Sequence, residues 1–513
     1  MRSPSLILAL ALSVGHGALR GQVADPSFGT DGYTTVDVNG GDEQFFDVAV
    51  QPDGKVLAAG TVWGLSNGLA LVCRFMADGA LDPTFSGDGA FIDGFGNADA
   101  EIRGVALQPD GKVLLAGSVS SWDFGTTQAF VLRLNSNGTM DGSFGVGGYA
   151  MLPSTSFTHF NEVAVDGEGN IVAVGMQHDG GGDLLVVRFD PNGELDASFD
   201  DAGLHVSDIG AYWDELYDVR IMDDGSIVCA GGTNDDGQNT TAVLLKLSDE
   251  GLAHPDFAGG AGFVEPTGAG AATGLHVLPD GRIVAAVAHA PGMQPAVVRV
   301  VRTQADGSPD ASFGTAGHTD LALGTGDCMW AGGVHADAAG HVLVGGNVRV
   351  GCNGVGNFFL AALWPDGSVN DFFGNNGYFV TTNAALASGG AVDAPGMAML
   401  DGRVLLASST MDGTLDGLVL AVGGAALGVT PTNSTVQLQL RPQPAGDAVW
   451  LPTSLGPVVD EVIVFDATGR AVLVERLRST AVPLDVSTLP NGPYTVVLNS
   501  TLGVHNAKLL VQR

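Results

Sequence analysis

The chain has 513 residues, of which 15% are charged and 77 are glycine, and its formal net charge is −35. Such an acidic surface repels phosphate backbones and anionic lipid, which argues against nucleic-acid binding. The many glycines and few charges favour short strands joined by tight turns over long helices.

The N-terminus has the pattern of a secretory signal peptide, which we assign to residues 1–21. Arg2 precedes the apolar run Leu6–Val14, and small residues follow it. This run is far shorter than the roughly 18 residues that a membrane-spanning helix needs. Nothing downstream is long enough to cross a bilayer, so we predict a secreted chain without a transmembrane segment.

From the first hairpin to the last, the chain repeats one pattern seven times. In the copy at 105–117, two short alternating runs flank Pro109-Asp-Gly-Lys112. Pro presets φ and Gly supplies the positive φ of a tight reversal, which predicts a β-hairpin. The turn glycines recur every 56 to 62 residues, at positions 54, 111, 169, 225, 281, 340 and 402. Such a period is typical of one supersecondary unit used many times.

Each unit has room for four strands, and a lone four-stranded sheet of this size cannot bury both of its faces. Seven such sheets arranged radially bury them, so we predict an all-β fold with a seven-bladed β-propeller at residues 22–427. A straight solenoid is the competing geometry. The phase of the repeat favours a closed ring, because the chain opens with an unpaired fourth strand at Tyr33–Val38 and the last module, about 393–427, lacks one. We predict that these two segments pair.

A second recurring segment precedes each fourth strand, as in Leu81-Asp-Pro-Thr-Phe85 and Leu195-Asp-Ala-Ser-Phe199. We expect its Phe to fill a buried space between blades and its Asp to cap the turn; a calcium site at the Asp is the alternative. Together with the Val-Ala-Val-x-x-Asp-Gly-Lys-Val-Leu-x-Ala-Gly pattern, this segment resembles the delta-60 repeat of secreted bacterial proteins, over about residues 24–427. The resemblance implies a propeller with a strand order similar to the NHL type, and it brings no agreed activity.

After Leu427 the repeat stops, and residues 428–435 are typical of a linker. The alternating segments that follow predict a small separate β domain at 436–513. Its passages 462–470, 484–494 and 508–512 resemble the C-terminal sorting domain of type IX secretion. This resemblance implies an Ig-like β-sandwich that is recognised by the type IX secretion machinery at the outer membrane. It also implies a final location outside the cell or on its outer surface.

Export permits disulfides, so the four cysteines need separate interpretations. Cys73 and Cys229 stand at strand positions where other repeats carry apolar residues, which indicates buried, free thiols. Cys328 and Cys352 lie at the two ends of the sixth hairpin and would face each other across it. We therefore predict a Cys328–Cys352 disulfide, which would contribute about 3 kcal/mol.

The common sequence patterns of catalytic and metal sites are mostly absent: no two histidines stand four residues apart, and there is no Cys-x-x-Cys. We therefore expect no catalytic residues, no cofactor and no metal. Arg220, His276 and His335 share one register in successive first strands, which would place them near the propeller axis. They could hold an anion or a metal, or they could serve only in packing between sheets.

Strand direction assigns the loops to two ends of the propeller. The Asp-Gly turns would emerge at one end, and loops of variable length at the other, which we call the variable end. Aromatic side chains concentrate there, and flat rings beside carboxylates suit sugars or peptides, although such rings could also merely cover the propeller. The candidate binding residues are Trp63, Trp122, His159, His178, Tyr212, Trp213 and Trp330.

These observations predict a secreted or cell-surface protein that binds a ligand or serves as surface structure, for instance in adhesion to glycan or matrix. We expect it to be a monomer without enzymatic activity. The alternative function is a secreted carbohydrate-active enzyme, either a lyase or a glycosidase. Such an enzyme would use paired carboxylates at the variable end, for example Asp214 and Glu215.

Overall fold

The computed structural model of the protein describes residues 23–38, 40–64, 67–96, 98–121, 126–153, 157–234, 240–266, 270–289, 297–323, 328–349, 356–371, 373–381, 396–400, 402–412, 414–423, 448–449, 459–465, 471–475, 483–500 and 503–512. The predicted signal peptide and the predicted linker 428–435 lie outside these residues. The chain forms two compact units, one over Gln22–Ala425 and the other taking in Ala426–Arg513.

The described strands of the first unit form seven antiparallel groups of four, which we call blades one to seven. Blade one consists of Asp42–Val50, Val56–Trp63, Leu69–Phe75 and Ala90–Asp93. Blade two consists of Asp99–Leu107, Val113–Ser121, Thr126–Leu134 and Tyr149–Met151. Blade three consists of Phe157–Val165, Ile171–His178, Gly182–Phe189 and Leu204–Ser207. Blade four consists of Trp213–Ile221, Ile227–Asn234, Thr241–Leu247 and Phe263–Val264. Blade five consists of Ala271–Val277, Ile283–His289, Val297–Thr303 and His318–Leu321. Blade six consists of Cys328–Ala336, Val342–Arg349, Gly356–Leu363 and Tyr378–Val380. Blade seven consists of Gly396–Leu400, Arg403–Asp412, Thr414–Gly423 and the N-terminal Tyr33–Val36, with Val23–Ala24 beside it. A 3-10 turn covers Ala258–Gly260.

The first strands of the blades surround a central axis. Each first strand packs against the first strand of the next blade, and that of blade seven packs against that of blade one. The contact between blades seven and one closes the ring, so the prediction of a β-propeller is confirmed and the solenoid alternative is wrong. We call the space that the first strands surround the axial channel, and its mouth at the variable end is formed by their first residues.

The hairpin turns follow the chemistry that the sequence indicates. All seven repeat glycines have a positive φ, between 78° and 90°. A residue with a Cβ adopts this conformation only under strain, which explains why glycine recurs at this one position of every unit. The turns set the spacing of the first and second strands, and these strands carry the channel wall.

The N-terminal strand closes the ring as its sequence phase predicts. Tyr33–Val36 pairs with the third strand of blade seven, in a register that joins Tyr33 to Leu420 and Val36 to Gly417. Phe28, Val36 and Val38 are buried in the same apolar cluster as the facing strands of blades one and seven. Strands from the two ends of the propeller sequence therefore share one blade and one core.

A buried carboxylate lies beside this closure. Glu43 has no solvent exposure, and its Oε1 accepts a hydrogen bond from the Val38 backbone N–H at 3.0 Å, while its Oε2 has no hydrogen-bond partner. Burial, with the nearby carboxylates of Asp37, Asp416 and Asp42, raises the pKa of Glu43 from 4.5 to about 7. The folded protein thus keeps a proton on Glu43 across a pH range in which the unfolded chain has lost it.

We expect Glu43→Gln to remove part of the pH dependence of propeller stability. Because the pKa of Glu43 is raised on folding, its contribution is present below about pH 4.5 and is lost as the pH rises to about 7. The loss over this interval amounts to about 3 kcal/mol. Thermal unfolding at pH 4 and pH 8 checks this, with the variant losing less Tm than the natural protein. Equal losses in both proteins would contradict it.

A hydrogen-bonded arginine joins neighbouring blades. Arg302 Nε donates to Asp310 Oδ2 at 2.7 Å, and its second nitrogen donates to the Pro365 carbonyl of the next blade at 2.7 Å. Its guanidinium carbon lies 4.5 Å from the centre of the Phe313 ring. The same Arg, Asp and Phe arrangement recurs at Arg74, Asp82 and Phe85, at Arg133, Asp141 and Phe144, and at Arg188, Asp196 and Phe199.

This arrangement settles the role of the recurring Asp. Asp310 Oδ1 accepts hydrogen bonds from the Ser312 N–H and hydroxyl, as expected of a turn cap, and its other oxygen binds the arginine. A protein cation therefore occupies the place that the calcium alternative gave to a metal. Within the described ranges, no group of three His, Cys, Asp or Glu side chains has the geometry for a metal ion. The expected burial of the Phe is confirmed, since Phe313 has no solvent exposure.

The cysteines divide as the sequence indicates where they are described. Cys73 and Cys229 are free and fully buried. Cys328 is disulfide-bonded. Cys352 lies outside the described residues, so its pairing with Cys328 stays a prediction.

The described strands of the C-terminal unit form two sheets. One has the strand order Ala471–Glu475, Val459–Phe465, Gly492–Ser500, Gly503–Val511, and the other pairs Ala448–Val449 with Leu484–Asp485. Both contribute to one apolar core, which includes Val449, Val462, Leu484, Val496 and Leu509. The Ig-like topology of this unit stays a prediction.

Candidate functional site

The variable end of blades three and four carries a group of exposed aromatic side chains. Phe157 and Trp213 are the first residues of the first strands of these two blades, so they hold equivalent places at the channel mouth. Phe157 is 45% exposed, Trp213 is 41% exposed, and the preceding Tyr212 is 58% exposed. Apolar rings this large are normally buried, so their exposure together indicates a contact surface.

Backbone pairing brings these residues together across two blades. Phe157 pairs with His178 on the second strand of blade three, and His178 pairs with Gly182 on the third. Gly182 pairs in turn with Trp213 of blade four, in a parallel bridge that joins the two blades into one sheet. The Gly182 N–H also donates to the Tyr212 carbonyl at 3.2 Å. We call Phe157, His178, Tyr212 and Trp213 the aromatic patch.

A buried carboxylate supports the patch from beneath. Trp213 Nε1 donates to Glu215 Oε2 at 2.9 Å, and the Tyr217 hydroxyl donates to the same oxygen at 2.9 Å. Asn161 Nδ2 donates to Glu215 Oε1 at 2.8 Å, and His159 Nε2 lies 2.7 Å from that oxygen. Two of these four groups come from blade three and two from blade four. Glu215 thus fixes the indole ring of Trp213 and locks the two blades together at the patch.

The hydrogen bonds also determine the charge of Glu215. Burial alone would raise the pKa of Glu215, but the hydrogen bond and charge of His159, with the bonds from Asn161 and Tyr217, lower it below its ordinary value. Burial and the neighbouring Glu215 carboxylate raise the pKa of Tyr217. Glu215 is therefore a fixed anion with its acceptor positions in use, which is the condition of a structural carboxylate rather than a general acid.

Asp214 has a different structural role from its neighbour. Its Oδ2 accepts hydrogen bonds from the backbone N–H groups of Ile209 and Gly210 at 2.6 and 2.8 Å, and its Oδ1 accepts one from the Thr233 hydroxyl. It thereby folds the loop that presents Tyr212. Successive residues of a strand point to opposite faces, so Asp214 and Glu215 do not converge on one substrate position. This geometry gives no support to the pair as glycosidase carboxylates.

The structure brings four of the seven predicted binding residues together and separates two. His159, His178, Tyr212 and Trp213 lie in or under the aromatic patch. Trp63 is half-buried on blade one, where its ring packs against Gly68, and Trp330 is half-buried on blade six, 5.5 Å from the Arg349 guanidinium. Trp122 lies outside the described residues.

The axial residues that the sequence placed in one register also meet in the channel. The rings of His276 and His335 are 4.8 Å apart, and Arg220 is 46% exposed, with its NH1 2.5 Å from Asp218 Oδ1. Burial, each other's proximity and Arg220 lower the pKa of His276 to about 4. Because Asp218 neutralises Arg220, and Asp47 and Glu162 also lie near it, the channel wall gives no support to an anion site.

Sequence reasoning missed three members of the site. Phe157 could have been found, because it opens a first strand one repeat before Trp213. Asn161 and Tyr217 are the extra residues of β-bulges in those strands, between Phe160 and Glu162 and between Leu216 and Asp218. A bulge turns the inserted side chain out of the normal alternation, so a period-two pattern does not reveal where it points.

Two families match the chain. The one described as a domain of unknown function (DUF5122) beta-propeller matches residues 51–85, 108–144, 169–199 and 278–313. The secretion system C-terminal sorting domain matches residues 431–512. The chain therefore carries DUF5122 beta-propeller repeats and a type IX sorting domain, and both resemblances noted in the sequence are confirmed. The sorting domain indicates export to the cell surface or secretion, and it implies contact with the secretion machinery.

No curated protein sequence matches the chain. Among solved structures, it is similar to Sqt1 from Chaetomium thermophilum, with 9% identity, a TM-score of 0.38, and coverage of 75% of this chain and 97% of that chain. It is also similar to an alpha-L-arabinofuranosidase from Fusarium graminearum, with 9% identity, a TM-score of 0.37, and coverage of 62% and 91%. Likeness at this level carries no information about ligand or activity. Within the described residues, we find no helix with the length and apolarity that a membrane crossing requires.

Proposed function

We propose that this secreted chain of DUF5122 propeller repeats and a C-terminal sorting domain binds a glycan or matrix component through the aromatic patch of blades three and four. The observation that carries the proposal is the exposure of three large rings at one channel mouth, on a support that holds Trp213 by its indole N–H. A ring fixed in this way loses little conformational entropy when a ligand stacks on it.

The geometry of the patch favours binding over catalysis. The two carboxylates that follow Trp213 in the strand, Asp214 and Glu215, are both committed to hydrogen bonds within the protein. An exposed aromatic surface in which Trp213 is held by its indole N–H suits stacking on the apolar face of a sugar ring. The proposal therefore includes no reaction, and incubation with a panel of polysaccharides should release no reducing sugar. Release of sugar would favour the enzyme alternative.

We expect Trp213→Ala to weaken ligand binding by about 2 kcal/mol, or about thirtyfold, as is typical for an aromatic anchor at the centre of a contact surface. A glycan array identifies the ligand, and calorimetry on the full chain then measures the affinity of both proteins. Trp63→Ala is the matched control, because Trp63 is a half-buried tryptophan at the same end on a different blade. Equal losses in the two variants would contradict a site on blades three and four.

Deletion of residues 431–512 is expected to stop export while leaving the propeller folded. The described propeller residues form their own compact unit, and the deleted segment is the one that matches the sorting domain. In cell fractionation, the shortened protein should be found almost completely in the periplasm instead of in the medium or on the outer surface. The full-length Trp213→Ala chain serves as the control and should be exported normally. Normal export of the shortened chain would show that another segment carries the signal.

The proposal also keeps three expectations from the sequence. The N-terminal residues 1–21 would act as the signal peptide that takes the chain across the inner membrane. The protein would work as a monomer. It would need no cofactor, because stacking and hydrogen bonding supply the contacts.

A further inference from the structure

We propose that the aromatic patch takes an amine-bearing sugar polymer, such as a chain of glucosamine units, in preference to neutral or anionic glycans. This inference rests on the proposed function and specifies the ligand class of the same site. It depends on the charges that surround the patch, which the aromatic rings alone do not reveal.

Exposed carboxylates border the patch on two sides. Asp179 and Asp183 flank the hairpin between the second and third strands of blade three, and Asp183 directly follows Gly182, the backbone partner of Trp213. Asp208 opens the loop that presents Tyr212. Asp179 and Asp208 are exposed and Asp183 is half-buried, so all three can face a ligand.

The neighbouring carboxylates affect the pKa of Asp183. Burial has the largest effect in raising the pKa of Asp183, and the charges of Asp208, Asp214 and Asp179 raise it further, while the charge of His178 lowers it. A carboxyl group whose pKa rises because of its neighbours lies in a negative potential, and a cationic ligand lowers the energy of such a site. The potential therefore attracts an ammonium group and repels sulfate or uronate.

Cations of the protein do not cancel this potential from within the loops. The segments 150–160, 177–184, 205–216 and 233–241, which surround the patch in sequence, contain no lysine or arginine. Arg103 of blade two lies near Tyr217 under the patch, but its NH2 is 2.6 Å from Glu101 Oε1, which neutralises it.

A sugar fits this surface better than a peptide does. The patch is a row of side chains at the ends of strands, where the backbone groups of Gly182 and Tyr212 are already bonded to each other. It offers aromatic rings beside carboxylates, which match the apolar face and the amine of an amino sugar ring.

The test compares four probes on the full chain by calorimetry at low salt and pH 6: glucosamine hexamer, N-acetylglucosamine hexamer, a galacturonate oligomer and a lysine-rich peptide. We expect the glucosamine hexamer to bind about tenfold more tightly than its acetylated form, and the galacturonate not to bind. High salt should reduce the difference. The double variant Asp183→Asn, Asp208→Asn should bind both hexamers alike, and Trp213→Ala should bind each of them about thirtyfold more weakly than the natural protein does.

The outcomes separate this inference from the proposed function. If both hexamers bind equally to the natural protein and Trp213→Ala weakens the binding of both, the patch is a glycan site without charge selection. That result overturns this inference and leaves the proposed function standing. Preferred binding of galacturonate, or binding of the lysine-rich peptide without any sugar, overturns the inference as well. If no probe binds, the amino-sugar assignment is wrong, and the glycan array decides separately on the proposed function.

Discussion

A chain that begins at Gly40 is expected to lose the cooperative unfolding transition of the propeller. This truncation removes Phe28, Val36 and Val38 from a shared core and leaves the third strand of blade seven without its outer partner. Loss of one buried Phe and two buried Val residues, with the hydrogen bonds of the strand, costs on the order of 10 kcal/mol. That cost is comparable to the whole stability of a typical folded domain, so the ring should open.

Rescue by the missing segment makes this result specific. A synthetic peptide of residues 23–40, added to the truncated protein, should restore the transition in proportion to its concentration, because the strand binds the native fold and not the unfolded chain. Thermal unfolding followed by tryptophan fluorescence measures the effect. A peptide with Val36→Asp is the matched control and should not rescue. A truncated protein that unfolds like the complete one would show that the closing strand contributes little.

The fold could be predicted from the sequence because its decisive chemistry is local. Each Asp-Gly turn needs a positive φ that glycine supplies without strain, so the repeat is visible as a glycine spacing. The strand left over at the N-terminus then fixes the closure, since only blade seven lacks a fourth strand. The bulges in the first strands could not be predicted in this way. The inserted residues, such as Phe46, Arg103 and Asn161, share neither size nor charge, so no residue type marks the position.

The site could be predicted only in part, for a related reason. Position in the repeat identified the variable end, and there Tyr212, Trp213, His159 and His178 do come together. Composition alone does not show which tryptophans share a blade boundary, so the sequence groups Trp63 and Trp330 with residues that lie on other blades. Nor could it show that Glu215 is held by four side chains, because two of them belong to bulges.

The arginine between blades has a signal in the sequence. In four repeats an arginine stands eight residues before the recurring Asp, as Arg302 does before Asp310. In blade six the equivalent positions carry Ala362 and Asn370, which keep the same backbone hydrogen bond without a charge pair. The protein therefore contains both a charged and an uncharged form of one junction, and this natural comparison allows a sharp test.

We expect Asp310→Asn to destabilise the propeller by about 3 to 5 kcal/mol, because it leaves the fully buried Arg302 guanidinium without a carboxylate. The double variant Arg302→Ala, Asp310→Asn reproduces the pair found in blade six and should recover a large part of the loss. Guanidinium unfolding of the full chain, followed by tryptophan fluorescence, measures both. A double variant less stable than the single one would contradict the view that the unpaired charge is the main cost.

The pH dependence of the same variant provides an independent check. Burial would raise the pKa of Asp310, but hydrogen bonds from Ser312 and Arg302 and the charge of Arg302 lower it to about 2. Because the pKa is lowered on folding from 3.8, the contribution of Asp310 is complete above about pH 4 and is lost as the pH falls toward 2. The stability difference between the natural protein and Asp310→Asn should therefore be constant from pH 5 to 7 and shrink below pH 4. A difference that persists unchanged in acid would mean that Asp310 acts through its shape and hydrogen bonds, and that its charge contributes nothing.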